Sequence, residues 1–293
     1  MESDLVKKIG LGSVQFGLPY GINNSSGQVM PNQVAHILSY GASIGIEVID
    51  TASAYGRSEE VLGNILARQS HSFKIISKIA PNTSNIRSAL QASLQKLQIP
   101  RLYGFMFHRI EDVQTNPSLE GELRVLKKEG HVEKIGFSLY YPDDIKYLLD
   151  HNISFDLIQV PYSVLDRRFE TWFPQLRALG VEVHIRSVFL QGLFFRGEEH
   201  LPSLFDTIRP ILQRIRQNCQ TYQVPLTQAL LFFALMNKDI DRVIVGVDSL
   251  DNLKENTHFL KLNQVPSVSL INQIFEGIAC EDEQILLPFN WKL

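Results

Sequence analysis

Apolar residues along the chain gather into eight short runs, over 8–13, 46–50, 73–78, 102–108, 133–138, 155–159, 181–186 and 242–245. Runs this short and this apolar predict buried β-strands. Between them the apolar positions recur every three or four residues, over 31–44, 58–66, 86–97, 118–128, 142–149, 169–179, 226–235 and 250–260. That spacing belongs to amphipathic helices covering a core on one side. Pro31 suits a first helical turn, and the early acids Glu59 and Glu60 favour a helix starting at 58.

Strand and helix therefore alternate eight times, which implies parallel strands joined by helical crossovers. Eight such units in 293 residues fit a closed α/β architecture, a (β/α)8 TIM barrel with its active site at the C-terminal ends of the strands, better than an open doubly wound sheet. An open dinucleotide-binding sheet would carry G-x-G-x-x-G after an early strand. Gly10-Leu11-Gly12 lacks both the third glycine and a helix behind it. The stretch richest in linker residues, 21–27, lies too near the start to separate domains, so one domain over 1–293 is expected.

In such a barrel the catalytic side chains come from the carboxyl ends of the strands. Here the runs close at or near Ser13, Asp50, Lys78, His108, Ser138, Gln159 and Arg186. Polar ends on apolar strands predict a pocket at that mouth. Tyr55 stands five residues after Asp50, in the segment entering the next helix, so Asp50, Tyr55, Lys78 and His108 converge. A free phenol titrates near pH ~10, and a neighbouring ammonium stabilises its anion. Lys78 is placed for that, Asp50 to keep Lys78 charged in a partly dry pocket, and His108 to orient a carbonyl oxygen beside the phenol. Alone, each has an ordinary structural role open to it, as turn former, core aromatic, snorkelling lysine or core histidine. Together, at three consecutive strand ends, they point to proton transfer at a carbonyl or alcohol oxygen, with hydride supplied from elsewhere.

Composition narrows the partners. With 28 basic against 31 acidic residues, a net charge of −3 and no basic run, the chain lacks the electrostatic footprint of a nucleic-acid binder. No long uninterrupted apolar window occurs, and the opening Met-Glu-Ser-Asp has no cationic start, so a cytoplasmic protein without a membrane partner is expected. Cys219 and Cys280 show neither CxxC nor Cys/His spacing, and no metal is expected.

These residues, with their neighbours, resemble the aldo-keto reductase superfamily. The likeness is carried by Gly10-Leu11-Gly12-Ser13, Asp50 through Glu59 with Leu62-Gly63, Lys78, His108, Ile135 to Ser138, Gln159 to Tyr162, Ser187 to Leu193, and Val245-Gly246 through Asn256. It implies a barrel that binds NADP, with NAD possible, and a carbonyl reductase or alcohol dehydrogenase. Tyr55 would be its acid/base, Lys78 and Asp50 would lower the phenol's pKa, and His108 would orient the substrate. The resemblance also implies cofactor contacts from Gly12, Ser13, Ser138, Gln159, Arg186, Ser187, Leu190, Gln191, Gly192 and Leu193. Around the adenosine phosphate it implies Gly246, Asp248, Ser249, Asn252, Glu255 and Asn256.

Three positions depart from the family pattern. Leu139 stands where the family usually has asparagine. Arg186 stands where an aromatic ring commonly stacks on the nicotinamide, and a cation there favours the reduced cofactor. Asp248 stands where NADPH-preferring members often carry a base, which leaves NADH open. Tyr20, Arg109 and Tyr140, with Tyr141, Tyr162 and the tail 286–291, are expected to rim the mouth and suit a sugar, an aromatic carbonyl or an anionic carbonyl compound. An NADPH-binding regulatory or scaffold subunit with little turnover is the alternative.

Overall fold

Eight parallel strands pair in chain order and the eighth returns to the first, so the sheet closes without an edge. The computed structural model of the chain describes residues 3–22, 24, 27–261 and 265–291. The strands are β1 (Ile9–Gly12), β2 (Val48–Asp50), β3 (Lys74–Ile79), β4 (Leu102–Phe107), β5 (Val132–Ser138), β6 (Leu157–Pro161), β7 (Glu182–Arg186) and β8 (Arg242–Gly246). Each is followed by its barrel helix: α1 (Pro31–Ser43), α2 (Ser58–Leu66), α3 (Ile86–Leu97), α4 (Ser118–Lys128), α5 (Pro142–Asp150), α6 (Phe173–Ala178), α7 (Leu226–Leu235) and α8 (Leu250–Lys261). The (β/α)8 barrel read from the pattern is the observed fold.

The helices depart from expectation in several places. The segment expected to be helical over 169–179 opens with a 3₁₀ turn at Glu170–Trp172, and α6 begins at Phe173 with Pro174 in its first turn. A helix at Arg209–Thr221, between β7 and α7, was not among the expected elements. Its buried Leu212, Ile215 and Cys219 recur at helical spacing on an otherwise polar and basic segment, so the helix was written in the sequence but falls outside the eight strand–helix units counted there.

Side chains alternate along each strand between two layers. Outward residues such as Leu11, Ile49, Ile75, Phe105, Ile158 and Val183 pack beneath the helices in the main core. Inward, Val48, Ile76, Met106, Leu157 and Ile244 form a small dry cluster on the barrel axis. On β3 the inward row runs Lys74, Ile76, Lys78, and on β8 it runs Arg242, Ile244, Gly246. The apolar cluster is thus a plug between a polar floor at the strand starts and a polar mouth at the strand ends. Among the described residues no helix is long and apolar enough to cross a membrane.

Candidate active site

Asp50 and Lys78 point inward from neighbouring strands and meet above the plug. The Lys78 ammonium donates to both carboxylate oxygens at 2.6 Å and to the Thr51 carbonyl at 3.2 Å, which uses all three of its N–H groups. Gln159 Nε2 donates to Asp50 Oδ1 at 2.8 Å from β6. The two side chains of the ion pair are 1% and 4% exposed. Burial pulls the Lys78 pKa below its ordinary value, although Asp50 opposes this.

The loop after β2 brings Tyr55 over this pair. Ser53 holds the Lys78 carbonyl through both its backbone N–H and its hydroxyl, at 3.2 and 2.9 Å. Ser58 donates to the Ser13 oxygens at 2.8 and 2.9 Å and shares a contact with Thr51, tying the loop to the end of β1. Two glycines let the β1 and β2 loops press together. A Cβ on Gly17 would stand 1.8 Å from the Tyr55 carbonyl, and one on Gly56 (φ +55°) 2.5 Å from the Gly17 carbonyl. The Tyr55 ring then sits with its centroid 5.2 Å from Lys78 Nζ and edge-to-face with His108 at 5.9 Å. The ring is half-buried, and its hydroxyl makes no hydrogen bond among the described residues.

The electrostatics correct one expectation. Burial, and after it Asp50, push the Tyr55 pKa well above that of a free phenol, while Arg186 opposes them. Asp50 therefore works against acidification, and the Lys78 charge is matched by Asp50 before it reaches the phenol. Tyr55 stands as a protonated donor. Burial, then the positive charges of Lys78, Arg186 and Arg109, bring His108 down to about 3, so its imidazole is neutral.

Tyr55, His108 and Asp50 open on a cavity of about 530 Å³ at the mouth. Gly12, Ser13, Ser138, Gln159, Arg186, Ser187, Leu190, Gln191, Gly192, Gly246, Asp248 and Asn252 line it, as do Tyr20 and Tyr140. Lys78 lies just beneath. Other candidates are not brought to the cavity. Leu193 is buried in the main core. The Ser249 hydroxyl accepts the Asn252 N–H at 3.1 Å and caps α8. Glu255 is exposed, and Asn256 is buried with Nδ2 donating to Asn252 Oδ1 at 3.4 Å. Arg109 is exposed and outside the lining, because β4 ends at Phe107 and the chain turns outward into the helix Glu111–Thr115. Tyr162 is a core residue whose hydroxyl donates to Glu170 at 2.8 Å, and Tyr141 lies outside the lining.

Sequence reasoning missed Gln15, Asn24, Phe189 and Phe195, which also line the cavity. Of the tail, Pro288 and Phe289 reach it, whereas Leu286 and Leu287 are buried in the core. The only sequence signal for Gln15 was a polar residue just past the end of β1.

The lining fits a nicotinamide dinucleotide. Gln159 Oε1 and Gln15 Oε1 are buried without partners, as is His108 Nδ1. Ser138 is the register neighbour of Gln159, so the two offer a hydroxyl and a bare amide oxygen, which complement a carboxamide. Beside them Ser187, Leu190 and Gln191 hold φ of +68°, +43° and +54°, with Gly192 at +90°. Left-handed backbone at non-glycine residues costs about 1–3 kcal/mol each and clusters at ligand clamps. Among the described residues no group of His, Cys, Asp and Glu forms a metal site.

Comparison with known proteins agrees with this architecture. An uncharacterized oxidoreductase of Bacillus subtilis (strain 168), YqkF, is 25% identical over 284 residues, covering 87% of each chain. The NADH-specific methylglyoxal reductase of Escherichia coli (strain K12) is 26% identical over 266 residues, 75% of this chain and 80% of that one. Among solved structures, the holo form of aldo-keto reductase AKR11C1 from Bacillus halodurans shares the fold, with a TM-score of 0.74 at 23% identity over 94% of this chain and 93% of that one. A sequence profile matches residues 8–272, from the residue before β1 into the helix Val268–Ile274, and so spans the entire barrel. By that match the chain belongs to the Aldo/keto reductase family.

Proposed function

We propose that this protein reduces an aldehyde or ketone to the alcohol, with Tyr55 giving the proton. Family membership supports NAD(P)H-linked oxidoreduction of carbonyl compounds. One observation carries the role of Tyr55: its hydroxyl is an unbonded, protonated donor facing the cavity beside a neutral imidazole.

NAD(P)H, when bound, supplies a hydride to the carbonyl carbon. The chain's own residues act at the oxygen. His108 and Tyr55 each donate a hydrogen bond to it, which polarises the carbonyl before reaction and stabilises the charge that develops. As the oxygen becomes an alkoxide its basicity climbs far above that of a phenolate, so even a phenol of raised pKa transfers its proton. Carbon gains the hydride, oxygen gains the proton, and Tyr55 is left as a phenolate. Lys78 then lies 5.2 Å from its ring and Arg186 adds a second positive field. Water in the cavity returns the proton.

Ser138 and Gln159 would hold the carboxamide, the strained turn 187–192 with Gly12 the pyrophosphate, and Gly246, Asp248 and Asn252 the adenosine end. Among the described residues that end has a carboxylate and no free base. Lys254 is turned to Asp251 at 3.4 Å, and Arg242 lies beside Asp241 at the opposite end of the barrel. A 2′-phosphate would meet Asp248 without a compensating cation, which moves the cofactor reading from NADP to NADH. The NADH-specific relative from Escherichia coli supports the same choice.

Two measurements test this. Fluorescence titration of the protein with each dinucleotide should give NADH a dissociation constant at least about tenfold below that of NADPH, an effect of about 1.4 kcal/mol. Equal or tighter NADPH binding would overturn the NADH choice. Loss of NADH absorbance with a panel of aldehydes and ketones tests the reaction, and tight cofactor binding with no turnover across the panel would assign a regulatory subunit instead.

A further inference from the structure

On the reading that carbonyls are reduced at Tyr55, the charge in the cavity narrows the substrate. Asp50 and Lys78 neutralise each other at 2.6 Å. His108 is neutral, and burial keeps Tyr55 and Tyr20 protonated, Tyr20 with a pKa of about 12. Among the described residues that line the cavity, Arg186 is then the cation left over. It is half-buried at the end of β7, lines the cavity, and forms no ion pair among the described residues. Arg168 shows the contrast: its side chain is 12% exposed and it holds two carboxylates, Asp166 at 2.9 Å and Glu283 at 2.8 Å. A partly desolvated cation without a counter-ion is costly, and a ligand that brings one relieves the cost.

The geometry specifies how. Arg186 lies over the Tyr140 ring, its guanidinium carbon 4.4 Å from the centroid, so the group is held flat and one face is covered. Nη2 donates to the Leu139 carbonyl at 3.3 Å and Nη1 to Ser187 Oγ at 3.4 Å, both long. A guanidinium has five N–H groups, so three have no protein partner. Stacking uses the face and hydrogen bonding uses the edge, so a ring on the open face leaves these donors available. Around them the rim is aromatic. Tyr140 meets Phe289 edge-to-face at 5.0 Å, and Phe289 and Tyr20 are 57% and 40% exposed. Large exposed rings at a cavity edge call for an apolar cover.

We propose that Arg186 is the specificity-determining residue of the substrate subsite, binding an oxyanion, a carboxylate or a phosphate, on aldehydes or ketones whose planar apolar body lies against Tyr140 and Phe289. Arg186 would fork two parallel N–H groups onto the anionic oxygens, an arrangement lysine cannot reproduce in full.

The test compares 4-nitrobenzaldehyde, 4-carboxybenzaldehyde and 4-formylphenyl phosphate with wild type, Arg186→Met and Arg186→Lys; the nitro compound is intrinsically the most electrophilic, so the readout is the change of selectivity between variants, in which intrinsic reactivity cancels. The expected result is a lower wild-type KM for an anionic aldehyde than for the nitro compound, expressed as the ratio of their kcat/KM values. That selectivity ratio should fall about 100-fold in Arg186→Met and be partly restored in Arg186→Lys, whatever the absolute rates. Preference for the phosphate ester over the carboxylate supports the oxyanion site and names phosphate as its occupant. A ratio unchanged in both variants overturns the inference. Terephthalate, which cannot be reduced, gives a second readout by fluorescence quenching of the NADH-loaded protein, with binding that weakens with salt and is lost in Arg186→Met. Should no aldehyde be reduced, the reductase reading fails alone. Absence of terephthalate binding to wild type overturns the oxyanion site by itself.

Discussion

At the mouth of the barrel a carboxylate, an ammonium, a phenol and an imidazole come together as Asp50, Lys78, Tyr55 and His108. At the floor, beneath the apolar plug, the same four groups come together as Glu182, Lys134, Tyr103 and His184. The floor set turns inward on Glu182, with His184 Nδ1 alone left buried without a partner. Tyr103 donates to Glu182 Oε2 at 2.7 Å, Lys134 donates to the same oxygen, and His184 Nε2 donates to Oε1 at 2.8 Å. Burial would raise the Glu182 pKa, yet these donors hold it well below the usual carboxylate range. Tyr103, buried and bonded to that carboxylate, titrates at about 12. The mouth set is open. Asp50 is satisfied by Lys78 and Gln159, and the phenol and imidazole are left facing 530 Å³ of cavity. Residue types alone therefore do not mark an active site. Groups that keep unused hydrogen-bonding capacity turned toward a cavity do.

Substitutions at matched positions sharpen this contrast. Tyr55→Phe should lower kcat by about 10²–10⁴ while leaving the NADH dissociation constant within about twofold, since only proton transfer is removed. A matching loss of cofactor affinity would place Tyr55 in binding rather than chemistry. Lys78→Met strands a buried carboxylate and should cost about 3–5 kcal/mol of stability by urea unfolding. Lys134→Met should cost less than half of that, because Glu182 keeps two donors and the Lys134 side chain is 32% exposed. Equal losses would erase the distinction between the two ends.

Acid should act on the two ends in overlapping windows that open at different pH, near 6.5 at the mouth and near 4.5 at the floor. For His108 the unfolded chain takes up a proton near pH 6.5 that the folded site refuses until about pH 3, so stability falls as pH drops through that range. For Glu182 the unfolded carboxyl is protonated near pH 4.5 while the folded one stays ionised, so its contribution is lost as pH falls below 4.5. His108→Asn should remove the first slope and Glu182→Gln the second, read from urea midpoints against pH. The smallest effect is expected from Tyr103→Phe: about 1 kcal/mol of stability for one hydrogen bond, with kcat unchanged within about twofold.

Much of the site was legible because it sits at strand ends. Asp50, Lys78, His108, Ser138, Gln159 and Arg186 could be placed by counting along apolar runs, and five of them line the cavity while Lys78 lies just below it. The less successful readings concern loops. Arg109 follows His108 in sequence but turns away with the chain, and Tyr162 enters the core to bond Glu170. Phe289 arrives from the far end of the chain to meet Tyr140. Residue spacing says nothing about such encounters, since no period links a loop to the wall it packs against.

By itself the sequence determined the barrel, because short apolar runs for the strands and a 3.6-residue period for the helices are local properties that any stretch of chain displays before it folds. It also determined which chemical groups stand at the strand ends. Only the tertiary structure decided which of those groups satisfy one another. The bond from Gln159 to Asp50 spans 109 residues, the bond from Tyr103 to Glu182 spans 79, and among the described residues the Tyr55 hydroxyl is left without a hydrogen bond and Arg186 without a counter-ion because the groups that could serve them are engaged elsewhere. Whether a polar side chain is spoken for depends on distance and angle between atoms far apart in the chain, and these exist only after the sheet has closed.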